Sequence, residues 1–181
     1  MTRRVFQLRV TLEDVAPPVW RQVLVPAAYT LDRVHRVIQF AMGWQDCHLH
    51  SFEIDGEQYG EPDPGGELPM HDEMEYRLDD VTGPGCRFGY VYDFGDWWEH
   101  EVVVEDVLAA DPRVRYPVCV TGERGCPPED VGGPEGYAEF VAALGDTRHP
   151  RHAAMGEWIG RVYDPEDFDP DRATTLLRRL T

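Results

Sequence analysis

Apolar residues that recur at every second position restrict the fold of this chain more than any other feature. This period predicts half-buried strands, and it occurs in residues 5–12, 19–25, 48–54, 87–93 and 97–107. Apolar residues spaced three to four apart predict helices over residues 31–42, 134–144 and 170–180, with a short helix from about residue 150. Strands that come first, with helices mostly at the end, indicate an α+β fold. We expect one mainly antiparallel sheet, which could close like a barrel.

The length of the chain indicates one domain over residues 1–181, with two predicted surface loops. A chain of 181 residues is long enough for one domain with its own core. Residues 55–80 are acidic, and residues 109–133 are rich in Pro and Gly, so both segments are predicted to be surface loops. The acidic segment could instead be a lid over a site.

The charge balance argues against direct binding of nucleic acid. There are 34 Asp and Glu residues against 17 basic residues, all of them Arg, and the formal net charge is −17. Neutralising phosphates requires clusters of Lys and Arg. A chain without Lys also lacks the residue needed for Schiff-base chemistry or for a phosphate-binding loop of the lysine type.

The sequence shows no apolar run near the ~20 residues of a membrane helix, and no signal peptide precedes the first strand. We therefore expect a cytoplasmic protein without a membrane partner. Its four cysteines should then be reduced thiols. Cys47 and Cys86 are interpreted as packing residues.

Histidines on apolar strand faces are the strongest indication of chemistry. His48 and His50 share a face with Phe52, and His100 shares one with Trp98. If the two strands are neighbours, these three histidines could converge in a common pocket. Imidazoles with a carboxylate are ligands for zinc or another divalent metal. The alternative is a set of hydrogen-bonded histidines without a metal.

The turn before His100 supplies the candidate carboxylates Asp93 and Asp96, either of which could act as a general base. Trp98, Phe52 and Tyr92 are predicted to line the same aromatic–histidine pocket. Glu129 and Asp130 could serve in acid–base chemistry, but a solvated acidic turn is the simpler interpretation of this pair.

A second, weaker metal hypothesis involves Cys119 and Cys126 with His149 and His152. Two thiols with six residues between them can bind zinc, but this spacing is not that of a standard zinc knuckle. Two buried free cysteines, or a reversible disulfide, are the alternatives.

The order of several short motifs closely resembles the plasmid pRiA4b ORF-three-like family, over about residues 5–178. The motifs include Val19-Trp20-Arg21, Ala41-Met42-Gly43-Trp44, His48-Leu49-His50, Tyr92-Asp93-Phe94-Gly95-Asp96, and Pro127-Pro128-Glu129-Asp130-Val131-Gly132-Gly133. The resemblance implies a compact α+β domain of uncharacterised function, with relatives on plasmids and beside insertion-element transposases. Some relatives carry a further Cys at the position of Val131, whose absence here weakens the Cys119/Cys126 hypothesis.

Three functions remain open at this point. The first is an acidic accessory module that binds a protein partner or a small ligand. The second is a metal-dependent enzyme with His48, His50 and His100 as ligands and Asp93 or Asp96 as base. The third is an acidic protein that imitates nucleic acid, for which net charge is the only support.

Overall fold

Eight strands form one sheet in the computed structural model, which describes residues 3–62 and 70–180. The strands are β1 Arg4–Leu12, β2 Trp20–Pro26, β3 His50–Ile54, β4 Glu57–Gly60, β5 His71–Asp72, β6 Arg87–Tyr92, β7 Trp98–Ala109 and β8 Val118–Glu123. Their order across the sheet is β5-β4-β3-β6-β7-β1-β2-β8, and all neighbours are antiparallel except β4 and β5. The sheet has two edges and is not closed. This architecture confirms the predicted α+β fold with a mainly antiparallel sheet.

Five α-helices accompany the sheet within the described residues. They are α1 Leu31–Met42, α2 Leu78–Val81, α3 Gly133–Gly145, α4 His152–Ile159 and α5 Pro170–Leu177, with a 3₁₀ turn at Arg178–Leu180. The carboxylate of Asp169 caps α5 by accepting from the amides of Asp171 and Arg172. Thr30 stands before α1 but caps no amide, because its hydroxyl donates to Asp32 instead. None of the described helices has the length and apolarity needed to cross a bilayer.

The core lies between one face of the sheet and α1. Alternate residues of β1, from Phe6 to Leu12, are buried there together with Val34 and Ile38 of α1. The register places His50 opposite Tyr92, and Tyr90 opposite His100. The inner faces of β3, β6 and β7 are therefore rich in aromatic and histidine side chains.

The segment predicted as a Pro/Gly-rich loop contains a strand that the sequence did not reveal. β8 pairs with β2, with Cys119 opposite Val23, and Cys119 is buried. Gly122 is required in this strand, because a Cβ there would lie 2.5 Å from the Trp20 carbonyl oxygen. The predicted acidic loop over residues 55–80 likewise holds β4, β5 and most of α2, while its residues 63–69 lie outside the described residues.

The outer edge of β8 is covered by a side chain of α5. The hydroxyl of Thr174 accepts from the amide of Cys119 at 3.0 Å and donates to the carbonyl oxygen of the same residue at 3.1 Å. These two backbone groups would otherwise be unpaired at the end of the sheet.

Candidate functional site

His48 lies at the centre of a group of acidic side chains. It belongs to the loop between α1 and β3 and not to the strand, which begins at His50. Its Nε2 atom lies 3.2 Å from Asp130 Oδ1, 3.6 Å from Asp93 Oδ2 and 3.9 Å from Glu129 Oε2. This nitrogen is buried and has no hydrogen-bond partner among the described residues.

Two overlapping sets of metal-ligating atoms meet at His48. One set is Cys47, His48 and Glu129, and the other is His48, Asp93 and Asp130. Within each set the ligand atoms lie within 4.8 Å of one another. We refer to these five residues as the His48 cluster.

The turn after β6 orients Asp93 toward His48. Asp93 is buried and adopts a left-handed backbone conformation with φ 58°, which is uncommon for a residue other than glycine. Its Oδ1 atom accepts from the amide of Gly95 at 2.9 Å, and this leaves Oδ2 to face the imidazole. Asp96 does not face His48, since its carboxylate accepts from the amide of Gly132 at 3.0 Å and so binds the loop before α3. Of the two predicted carboxylates, only Asp93 therefore belongs to the cluster.

The loop before α3 carries the other two carboxylates. Glu129 Oε1 accepts from the amide of Gln45 at 2.8 Å, and the indole of Trp44 donates to the carbonyl oxygen of Pro127 at 3.0 Å. The Asp130 backbone is also left-handed, with φ 57°, and its side chain is 72% exposed. The loop is thus fixed from two sides, and Asp130 forms the solvent-facing edge of the cluster.

Gly133 allows this loop to approach the turn that holds Asp93. Its φ is +68°, and a Cβ at this position would lie 2.5 Å from the carbonyl oxygen of Asp96. Together with the bond from Gly132 to Asp96, this close approach joins the two acidic loops. Both glycines at the end of the Pro127–Gly133 motif are therefore needed for the contact between the two loops.

Tyr92 connects the cluster to the core. Its hydroxyl donates to Glu129 Oε1 at 3.1 Å and accepts from the amide of Cys47 at 3.2 Å. Burial raises the pKa of Tyr92 well above its usual range, so the hydroxyl stays protonated and donates. The Cys47 thiol lies 3.7 Å from the same hydroxyl and is exposed, contrary to its interpretation as a packing residue.

The three predicted histidines do not meet in one pocket. Strand β6 lies between β3 and β7, so His50 and His100 are separated by a strand and differ in register. His48 precedes β3 and faces the acidic loops. The premise that the two histidine-bearing strands are neighbours was wrong, because β6 pairs with β3 on one side and with β7 on the other.

His50 takes part in a different arrangement. Its Nε2 atom lies 2.8 Å from Glu73 Oε2, and its ring stacks on that of His35. His35 was not among the residues that the sequence indicated, because it lies on a helix at an ordinary core spacing. The two imidazoles border a cavity of about 500 Å³ that also includes Asp46.

His100 is buried in the core with one nitrogen paired and one unpaired. Its Nδ1 atom faces the carbonyl oxygens of Trp98 at 3.0 Å and Tyr90 at 3.2 Å, so this nitrogen carries the proton. Nε2 has no partner among the described residues. Burial lowers the pKa of His100 to about 4.

The predicted pocket residues belong to the core. Trp98, Phe52 and Tyr92 are fully buried, so they support the site from behind and do not present their rings to solvent. Of the three, Tyr92 reaches the His48 cluster through its hydroxyl.

The surroundings of Cys119 and Cys126 do not suit a cation. The buried guanidinium of Arg21 lies near both thiols, and burial raises the pKa of Cys119 to about 11. His152 is directed to the carbonyl oxygen of Ala143 at 2.9 Å. Among the described residues, neither thiol belongs to a metal-ligating group.

Comparisons with known proteins define the family. A family model described as "Plasmid pRiA4b ORF-3-like protein" matches residues 4–172. The chain belongs to this family. It shares 43% identity over 162 residues with "Uncharacterized protein y4hQ" of Sinorhizobium fredii, which covers 88% of this chain and 83% of that protein.

A solved structure shares the fold of this pRiA4b ORF-3-like chain. The crystal structure of a protein of unknown function, MM3350 from Methanosarcina mazei Go1, has a TM-score of 0.88 and 34% sequence identity. The match covers 94% of this chain and 98% of that chain. The family assignment confirms the resemblance stated from the motifs, and these relatives are themselves uncharacterised.

Proposed function

We propose that this protein binds a divalent metal ion at the His48 cluster. The observation that carries the proposal is the buried Nε2 atom of His48, which has no hydrogen-bond partner and faces the carboxylates of Asp93, Glu129 and Asp130. An unpaired buried nitrogen costs about 1–3 kcal/mol. A metal ion among these groups would satisfy the nitrogen and neutralise the carboxylates together.

The spacing of the ligand atoms agrees with this proposal. Zinc-type ions bind nitrogen and oxygen at about 2.0–2.2 Å, so neighbouring ligand atoms in a tetrahedral site lie roughly 3.3–3.6 Å apart. The separations of 3.2 Å and 3.6 Å from His48 to Asp130 and Asp93 lie at or near this range. The 3.9 Å separation to Glu129 requires only a small side-chain adjustment.

The donor types indicate the class of ion. One imidazole with several carboxylates suits Zn²⁺, Mn²⁺ or Fe²⁺ better than Cu⁺, which prefers sulfur. Gly95 and Gln45 orient Asp93 and Glu129 by hydrogen bonds, and such supporting contacts are usual around metal ligands. The Cys47 thiol adds a softer ligand that favours Zn²⁺ within this group.

The broader role is that of an acidic accessory protein of the cytoplasm, with its four cysteines as free thiols. The plasmid origin in the family's description supports a link to mobile elements. A metal-dependent enzyme is the second candidate function, and the exposure of Asp130 favours it. An ion beside this carboxylate would face solvent and could bind the water that a metal-dependent hydrolase activates.

Elemental analysis of protein purified without a metal-affinity column tests the proposal. We expect about one equivalent of zinc, manganese or iron, or saturable binding of Zn²⁺ or Mn²⁺ by calorimetry after dialysis against chelator. His48→Ala and Asp93→Asn should each weaken binding at least tenfold, which corresponds to about 1.4 kcal/mol.

His71→Ala is the matched control, because His71 also faces a carboxylate, Glu57, at 3.1 Å but lies outside the cluster. Its metal affinity should equal that of the natural protein. Failure of Zn²⁺, Mn²⁺ and Fe²⁺ to bind the folded protein, or equal losses in His48→Ala and His71→Ala, would refute the metal site.

A further inference from the structure

A cleft at the end of the sheet away from the His48 cluster carries positive charge, although the net charge of the protein is −17. Four arginines line it, Arg3, Arg4, Arg33 and Arg115, together with one carboxylate, Asp79. It lies where β1 begins and β2 and β7 end. The volume is about 700 Å³, within the range of sites that hold small molecules.

The cleft is distant from the His48 cluster. Along the pair of β1 and β7, Arg4 is opposite Ala109 and Leu12 is opposite His100. Eight residue steps of an antiparallel strand cover roughly 27 Å. A ligand of the cleft would therefore not touch the proposed metal ion, and the inference does not depend on that proposal.

The wall and floor of the cleft are apolar. Pro26 and Val114 contribute aliphatic surface, and Tyr29 and Tyr116 contribute aromatic rings, while Val5 and Ala27 border the cleft but are almost fully buried. Val5, Ala27 and Tyr29 are buried by their own neighbours, so this surface belongs to the fixed part of the fold. Such a surface can hold the apolar body of a ligand beside the guanidinium groups.

Carboxylates of the described residues neutralise Arg3, Arg4 and Arg33 only in part. Arg4 forms an ion pair with Asp79 at 2.8 Å. Arg33 stacks on the ring of Tyr29, with its Cζ atom 3.8 Å from the ring centroid, which holds its guanidinium at the rim. Within residues 3–62 and 70–180, no carboxylate lies within ion-pair distance of Arg3 or Arg33. The cleft therefore retains positive charge that an anion can neutralise.

We propose that this cleft binds a small organic anion, with a phosphate or carboxylate group on an apolar or aromatic body. The guanidinium groups of Arg3 and Arg33, which both line the cleft, would pair with the anionic group, since guanidinium pairs with phosphate and with carboxylate. The aliphatic floor and the tyrosines would cover the body. Since the protein as a whole repels anions, specific contacts in this cleft must supply the affinity.

Calorimetric titration of the full chain with 1-naphthyl phosphate and 1-naphthoate tests the site, because the two probes share the aromatic body and differ in the anion. We expect at least one to bind saturably with a Kd below about 1 mM. 1-Naphthol should bind at least tenfold more weakly, and the affinity should fall as salt is raised. The stronger of the two anions identifies the natural headgroup.

Arg3→Gln and Arg33→Gln should each lower the affinity at least tenfold. Arg113→Gln is the matched control, because Arg113 is exposed, lies two residues from Arg115, and is paired with Asp111 at 2.7 Å outside the cleft. Circular dichroism confirms folding of each variant.

Three results would overturn the proposal. They are no saturable binding of either anion, equal binding of 1-naphthol, and an Arg113→Gln loss equal to that of Arg33→Gln. A fourth result, tighter binding of a polyglutamate peptide than of both naphthyl anions, would assign the cleft to a protein partner and overturn the proposal for a small anion.

Discussion

The imidazole of His35 lies parallel to that of His50, with ring centroids 3.4 Å apart and planes inclined by 6°. His35 belongs to a closed ring of hydrogen bonds. Gln39 donates to the Tyr90 hydroxyl, this hydroxyl lies 2.8 Å from His35 Nδ1, His35 Nε2 lies 2.7 Å from Asp46, and the Asp46 amide donates to Gln39. Every group is satisfied only if Tyr90 donates to a neutral His35. Burial lowers the pKa of His35, in agreement with this state.

Tyr90→Phe tests this ring of hydrogen bonds. The variant keeps the buried aromatic ring but leaves His35 Nδ1 and Gln39 Nε2 without a partner, so the free energy of unfolding should fall by about 1–3 kcal/mol. Urea denaturation measures the loss. Tyr116→Phe is the control, because that hydroxyl only accepts from the amide of Asp111 in a partly exposed position. Equal losses in the two variants would show that the closed ring of hydrogen bonds adds nothing to the stability of the protein.

The buried His100 predicts that acid destabilises the protein. Its folded pKa of about 4 lies below the unfolded value of about 6.5, so between these values the unfolded state binds the proton and the folded state does not. Stability is complete above about pH 6.5 and falls as the pH drops toward 4, by about 3 kcal/mol from this residue.

Urea denaturation at about pH 7, 6 and 5 measures this slope, which should be smaller in His100→Phe than in the natural protein. His71→Phe serves as control, since His71 is exposed on β5. An unchanged slope in His100→Phe would contradict the assignment of this titration to His100.

Gly133→Ala should separate the two loops that form the His48 cluster. The new Cβ would meet the Asp96 carbonyl oxygen, and alanine is strained at φ +68°, so we expect a loss of about 2 kcal/mol or more. Mn²⁺ affinity measured by calorimetry should fall as well, because Asp130 would move away from His48. Gly145→Ala, at the end of α3 where a Cβ meets nothing within 4 Å, should change neither quantity. Natural Mn²⁺ affinity in Gly133→Ala would disprove the coupling of the loops.

Arg21→Met should be among the most destabilising single substitutions. The buried guanidinium donates to the carbonyl oxygens of Ala41, Trp20, Glu123 and Arg124, joining the end of α1 to β8. Leaving these oxygens unpaired should cost about 3–5 kcal/mol.

Thermal and urea unfolding measure this cost, with exposed Arg113→Met as control. If Arg21→Met does not fold, Arg21→Lys provides the comparison, because its single ammonium cannot reach all four oxygens. A loss in Arg21→Lys no larger than in Arg113→Met would contradict this role.

Local periodicity was sufficient to predict most of the elements. Helix α1 was predicted at its observed bounds, because its apolar spacing and Gly43 act within the helix itself. Strand β8 was missed because its pattern is interrupted by Gly122, which only the neighbouring carbonyl oxygen of Trp20 explains. The reason for Gly122 is a contact with another strand, so the local sequence pattern does not reveal it.

The candidate site was predicted in part for the same reason. His48 and Asp93 were identified from their residue types, whereas the residues that surround them depend on which loops meet in the fold. Glu129 and Asp130 were interpreted as a solvated turn, yet Gly133 and Asp96 bring this turn against His48. The order β3-β6-β7, which separates His50 from His100, depends on long-range pairing that strand patterns do not encode.

The hydrogen bonds between Thr174 and Cys119 bear on how this protein avoids self-association. An eight-stranded sheet with an open edge invites a strand from another molecule, and such additions lead to aggregation. Here the Thr174 hydroxyl already occupies both backbone groups of Cys119 that an incoming strand would need. Helix α5 therefore protects this edge of the sheet, and a chain that has not yet formed α5 exposes the edge that the folded protein hides.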